Sequence, residues 1–278
     1  RAFEEPQYRF IIHTIHSVRI LFVLYFLLIY FQGAGIAFDE YAKRSNVTDD
    51  MVLIPGGKFK MGCNQFGPRH GGPEHVVHLD AFMIDKYEVS NKRFEQIDKD
   101  HELRRSVLSY CDDCPVTKIS WYEAVDFCYL TGKTLPTEAQ WERAAGGNDG
   151  CAFPWGNDFD PKANQAWGGL KLRDNTKPVG SFPPNENGIY DMAGNVWEWV
   201  SDWYASGYHF PEFLYNPKGP SRGVMKVRRG GSWSDSINAM ATGYRDWSYP
   251  LSRGFNDIGF RCAINIKIKK LDDISTQD

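Results

Sequence analysis

Apolar and polar positions alternate in short blocks along most of this chain, and long helical periods are few. "MVLIPGGKFKMG", residues 51–62, predicts a strand, a Pro-Gly-Gly turn and a second strand. Residues 75–96, "HVVHLDAFMIDKYEVSNKRFEQ", alternate as a strand does, then supply Ser90 as the N-cap of a short helix. Residues 120–133, "SWYEAVDFCYLTGK", place apolar side chains at helical spacing behind Ser120, with Glu123 at the capping-box position and Gly132 as the stop. Another short helix is predicted over 136–147, capped by Thr137 with Gln140 three residues on. From there to residue 260 the chain is rich in Gly, Pro and Trp, without a clean period or an internal repeat.

One block breaks this pattern. Residues 20–38, "ILFVLYFLLIYFQGAGIAF", run 19 residues without a charge, close to the ~20 that a helix needs to cross a bilayer. Arg1, Arg9 and Arg19 precede it, and Asp39 and Glu40 follow. The positive-inside tendency then puts the N-terminus in the cytoplasm and residues 39–278 on the periplasmic or other extracytoplasmic side. A cleaved signal peptide, cut near Gly35-Ile36-Ala37, is the competing reading. The expected organisation is a cytoplasmic stub and transmembrane helix over 1–38, a polar linker over 39–50, a domain over 51–264 and a polar tail over 265–278. Asn46-Val47-Thr48 in the linker is a glycan acceptor only in a eukaryotic secretory host.

Composition narrows the function classes. With 278 residues, 42% hydrophobic and 15% aromatic, the chain can bury a sizeable core. A net charge of -3, with no basic cluster beyond the KIKK near the C-terminus, argues against nucleic acid as a partner. Six cysteines, Cys63, Cys111, Cys114, Cys128, Cys151 and Cys262, are even in number and scattered, as disulfides in an oxidising compartment would be. Cys111 and Cys114 have C-x-x-C spacing, but no second pair follows at zinc-finger distance and no thioredoxin-like pattern surrounds them. A structural bridge is the simpler reading.

Seven motifs in one order carry a family resemblance: "MVLIPGGKFKMG", "DKYEVSNKRF", "PVTKISWYEAVDFCYLTGKTLPTEAQWERAAGG", "FPWGN", "VGSFPPNENGIYDMAGNVWEWVSDWY", "RRGGSW" and "IGFRCA". Together, over residues 51–264, they resemble the formylglycine-generating enzyme family, also called the sulfatase-modifying factor domain. The resemblance implies an α+β domain of low regular secondary structure with a core related to C-type lectin-like folds, here preceded by the one transmembrane helix. It also implies a disulfide between Cys128 and Cys262, and leaves the pairing of Cys63, Cys111, Cys114 and Cys151 open.

The resemblance also locates the chemistry. Members that oxidise a sulfatase cysteine to formylglycine keep two copper-binding cysteines just after the Gly-Gly-Ser-aromatic motif, which here is Gly230-Gly231-Ser232-Trp233. Counting forward puts Asp235 and Met240 at those positions, and no cysteine lies between Cys151 and Cys262. Soft thiolates hold Cu(I); a carboxylate and a thioether do not replace them. No copper and no formylglycine-generating activity are therefore expected. The iron-dependent branch of the family is also unsupported, since His13 and His16 lie beside the apolar block. His70, His75 and His78 do not converge, because 75 and 78 would face opposite sides of a strand.

Calcium is the cofactor the resemblance implies. In the loop "YDMAGNVWEW" the ligands would be the Asp191 side chain and the carbonyls of Met192, Gly194 and Val196; hard oxygens on a Gly-bearing loop suit Ca²⁺. An ion-free turn, with Gly188 and Gly194 at positive φ and Asn195 bonding its own backbone, is the alternative. A second site maps to Asn164, the Gln165 carbonyl and Asp174. Trp197, Trp199 and Trp203 read as core rather than as an exposed sugar-stacking row. Arg228, Arg229, Arg245 and Arg261 fit an anion-binding pocket and, equally well, pairing with Glu138, Glu142, Glu198 and Asp202.

The expected function is a membrane-anchored, extracytoplasmic, non-catalytic accessory or scaffold subunit. Its partners would be other subunits of a membrane complex, and the bilayer through residues 20–38. The alternatives are a divergent enzyme using Asp235, Ser234 or Arg245 on a peptide, and a lectin-like or peptide-binding module.

Overall fold

The computed structural model describes residues 50–146, 152–157, 175–206 and 215–266. Residues 47–278 form one compact unit and 1–46 another; the apolar block 20–38, residues 39–49 of the linker, the tail from 267, and Asn164, Gln165, Asp174 and Cys151 lie outside the described residues. Among the described residues no helix is long and apolar enough to cross a membrane.

Among the described residues nine short strands and four short α-helices are joined by turns. In order they are β1 (Met51–Ile54), β2 (Gly57–Met61), α1 (Gly67–His70), β3 (His75–Leu79), β4 (Phe82–Asp85), α2 (Asn91–Phe94), α3 (Trp121–Leu130), α4 (Glu138–Ala144), β5 (Trp197–Trp203), β6 (Lys226–Arg229), β7 (Arg245–Ser248), β8 (Ile258–Gly259) and β9 (Ala263–Asn265). They make a three-stranded sheet β1-β4-β9, a pair β2-β3 and a four-stranded sheet β7-β6-β5-β8. The α+β content expected from the sequence is present.

Local chemistry sets the helices. The Ser90 side chain accepts from Arg93 N at the start of α2. Ser120 with Glu123, and Thr137 with Gln140, each form a full capping box, which satisfies two orphan N–H groups per helix. Helix α4 is shorter than the expected 136–147. The 75–96 block is two strands and a helix, because the chain turns between Leu79 and Phe82 so that β4 can pair with β1 and β9 while β3 pairs with β2.

Strand β5 was not legible as a strand. Its sequence WEWVSDW is buried almost throughout, including Glu198 and Asp202 at 1% and 0% exposure. Buried acids interrupt the period-2 pattern a half-buried strand would show. On one side of β5, Trp141, Val200, Val227, Ile54 and Phe82 share a core with Met192. On the other, Phe127, Trp197, Trp199 and Phe260 pack with the Cys128–Cys262 bridge.

Candidate functional site

Two adjoining features sit where β5 begins. The first is the loop 191–196, in which Asp191, Gly194 and Asn195 take positive φ of 58°, 86° and 55°. Asp191 Oδ2 accepts from Gly180 N at 2.5 Å, while Oδ1 is buried with no hydrogen-bond partner. Burial pushes its carboxyl up to about 6. Beside it stands Glu88, 1% exposed. One of its oxygens accepts from Asn195 Nδ2 at 2.6 Å and the other from Val196 N at 3.3 Å. Burial, then the Asp191 and Glu198 charges, raise its carboxyl well above the usual range.

Glu198 completes a trio of buried carboxylates. It takes both arms of the Arg261 guanidinium at 2.7 Å each, and Trp141 Nε1 at 2.8 Å. Three acids thus share one guanidinium. Among the described residues no donor reaches the carbonyls of Met192, Gly194 or Val196. Buried carbonyls are seldom left this way, and the orphaned Asp191 Oδ1 lies on the same loop. Asn195 does not bond its own backbone: its Oδ1 accepts from Lys177 N at 2.9 Å, so the Asn195 detail of the ion-free turn is corrected. Gly188 and Gly194 do take positive φ.

The second feature is the polar turn 230–235. Ser232 Oγ donates to Asp235 Oδ2, lies 3.0 Å from Ser234 Oγ and reaches Asp257 Oδ2 at 3.3 Å. Trp197 Nε1 donates to Asp235 Oδ2 at 2.8 Å. Asp257 is raised by burial, opposed by Arg228 and reinforced by Asp235. Arg228 lies 4.6 Å over the Trp197 ring and 5.7 Å from Phe255, and binds Asp246 at 2.6 Å. Met240, the other position of interest, ends a 3-10 turn and is fully buried. A Cβ at Gly231 would meet Ala239 O at 2.9 Å and Met240 Sδ at 3.1 Å, so only glycine fits at φ 69°.

The family model of the sulfatase-modifying factor enzyme 1-like domain matches residues 37–266. The chain belongs to that family. It is 34% identical to the formylglycine-generating enzyme of Mus musculus, over 84% of this chain and 82% of that one. It is also 31% identical to the inactive C-alpha-formylglycine-generating enzyme 2 of Bos taurus, over 78% and 88%. Among solved structures it is similar to Treponema denticola variable protein 1, with a TM-score of 0.66 at 28% identity, covering 77% of this chain and 94% of that one.

Several residues within this sulfatase-modifying factor domain are now placed. Cys128 and Cys262 are bonded, tying α3 to the segment before β9. Cys111 and Cys114 bridge each other in a structural turn, and Cys63 is also disulfide-bonded. His75 and His78 lie on opposite faces of β3. His70 sits in α1, stacked against Tyr244 and Trp247; His78 stacks on Tyr215. Trp197 and Trp199 are core, at 1% and 0% exposure, whereas Trp203 is half-buried against Lys226.

The arginine pairings hold in three cases. Arg229 binds Glu142, Arg245 binds Glu138 through both nitrogens, and Arg261 binds Glu198. Arg228 is a correction: it pairs with Asp246, its register partner across β6 and β7. Asp202 accepts from Glu138 N and Ser201 Oγ and lies in the field of Arg245 and Lys226. Sequence reasoning missed Glu88, whose partners Asn195 and Val196 are 107 and 108 positions away; no local pattern signals such a contact.

Proposed function

We propose that this chain is a non-catalytic member of the family, a membrane-anchored accessory or scaffold subunit that binds rather than oxidises. The observation that carries the reading is the pair Asp235 and Met240. The Asp235 carboxylate is held by Trp197 and Ser232, and the Met240 thioether is buried, so neither position offers a thiolate to copper. One bovine relative is itself called inactive. The apolar block 20–38 supports the anchor, with the domain on the extracytoplasmic side and other subunits of a membrane complex as partners.

A structural calcium ion belongs to the same proposal. Asp191 and Glu88 would hold it through carboxylate oxygens, with the carbonyls of Met192, Gly194 and Val196. The excess of buried negative charge over Arg261 and the orphaned Asp191 Oδ1 support it. The ion would supply charge balance and loop rigidity, not reactivity. Asn164, Gln165 and Asp174 stay proposed as a second set.

The test uses the full chain purified in mild detergent. Cu(I) retention against a chelator and conversion of a cysteine-containing sulfatase peptide are measured before and after the paired substitutions Asp235→Cys and Met240→Cys. The parent should show neither. Stoichiometric copper with peptide conversion in the parent would sink the reading.

A further inference from the structure

One peptide group joins the two features. The Val196 carbonyl belongs to the proposed ion cage, and the N–H across the same peptide bond, that of Trp197, donates to Asp257 O at 2.7 Å. A peptide unit is planar, so turning the carbonyl turns the N–H. Trp197 then reaches the turn 230–235 with its indole, through the 2.8 Å bond to Asp235.

Two further bonds run in parallel. Asn195 O accepts from Trp233 N at 3.0 Å, and Gly194 N donates to Gly230 O at 2.8 Å. Two successive loop residues, Gly194 and Asn195, are thus tied to the turn 230–235, and Trp197 to Asp257. Residues 191–200 and 229–232 are all buried, and the turn has little room to yield. A Cβ at Gly230 would lie 3.1 Å from the Trp141 ring, and one at Gly231 would meet Ala239. Glu88 grips the loop from behind, through Asn195 Nδ2 and Val196 N. A shift of Glu88 relative to Asp191 would act on the loop through these two bonds.

We propose that a divalent cation in the 191–196 loop sets the placement of Ser232, Trp233 and Asp235, so that occupancy of the loop regulates how the turn 230–235 presents these side chains. The proposal rests on the calcium reading above. It adds that the ion is a regulator of this turn and not only a brace for the fold. Coupling of this kind is carried by contiguous packed and hydrogen-bonded groups, and here the path is one peptide bond long.

The experiment labels the full chain, in mild detergent, with 5-fluorotryptophan and assigns its fluorine resonances with Trp121→Phe, Trp197→Phe and Trp233→Phe. Ca²⁺ is titrated by fluorine NMR, and Tb³⁺ by sensitised luminescence on the unlabelled chain. The Trp197 and Trp233 signals should move on the loop-binding curve, and Asp191→Asn should weaken binding and the shifts together, by about tenfold or more. Trp121, whose indole donates to Val200 O, should stay still. Tb³⁺ binding that Asp191→Asn weakens, with Trp233 unmoved, would overturn the coupling and leave the ion site standing. An equal shift of Trp121 would overturn it as well, as a global effect. No saturable binding of either metal would remove both proposals.

Discussion

Trp197 lies in the core at 1% exposure, yet its indole N–H ends on the carboxylate of Asp235 in the turn 230–235, 2.8 Å away. The side chain is both a packing element and a hydrogen-bond donor to a charge. Trp197→Phe keeps most of the packing and removes the donor. It should cost about 2 kcal/mol, the range for a hydrogen bond to a charged group, read as a lower urea midpoint at unchanged slope. No loss would mean that Ser232 alone holds Asp235.

The arginines differ in depth, and their variants should differ likewise. Arg245 and Glu138 are 4% and 1% exposed, so Arg245→Met leaves the buried Glu138 carboxylate with Arg229 Nε 3.6 Å away and should cost about 3 kcal/mol. Arg228 and Asp246 are 15% and 22% exposed, and Arg228→Met should cost closer to 1 kcal/mol. Chemical denaturation of the two variants checks the order.

The two described bridges close loops of very different length. Cys128–Cys262 spans 134 positions and Cys111–Cys114 spans 3. In the chain-entropy account the long loop contributes about 5 kcal/mol and the short one far less. Cys128→Ala/Cys262→Ala should therefore lower the melting temperature sharply, and Cys111→Ala/Cys114→Ala only slightly. Equal losses would show that strain or packing outweighs loop entropy.

Stability should fall with rising pH through one buried acid. Burial and the neighbouring Glu138 charge raise Asp202 from 3.8 to about 7. A raised folded pKa means that the native state holds its proton more tightly. That stabilisation is complete below about pH 4 and is lost as pH climbs to about 7, with an upper limit of roughly 4 kcal/mol. Asp202→Asn should flatten the profile over this window and be more stable than the parent at pH 8. A parent profile that is flat between pH 4 and 7 would refute the assignment.

Legibility from sequence followed the range of each interaction. Ser90, Ser120 and Thr137 were readable because a cap and its partner lie three residues apart. The Cys128–Cys262 bridge and the Asp235 and Met240 positions came from the order of motifs, since nothing local marks them. Strand β5 was hidden by Glu198 and Asp202, which are paired or hydrogen-bonded inside the protein rather than exposed. The four acids grouped with the arginines did not include Asp246, because the Arg228–Asp246 pair depends on strand register. Glu88 was hidden for a similar reason: its role exists only once the chain has brought residue 195 beside it.

Cys128 and Cys262 also bracket nearly half of the chain, including α4, the 191–196 loop, the turn 230–235 and β5 through β8. A single protease cut anywhere between them leaves both pieces covalently joined, and the Thr134–Ala263 backbone pair lies against the same clasp. Such a nick would be silent on a non-reducing gel and visible only after thiol treatment. In an oxidising compartment the molecule could be clipped in its central stretch without coming apart.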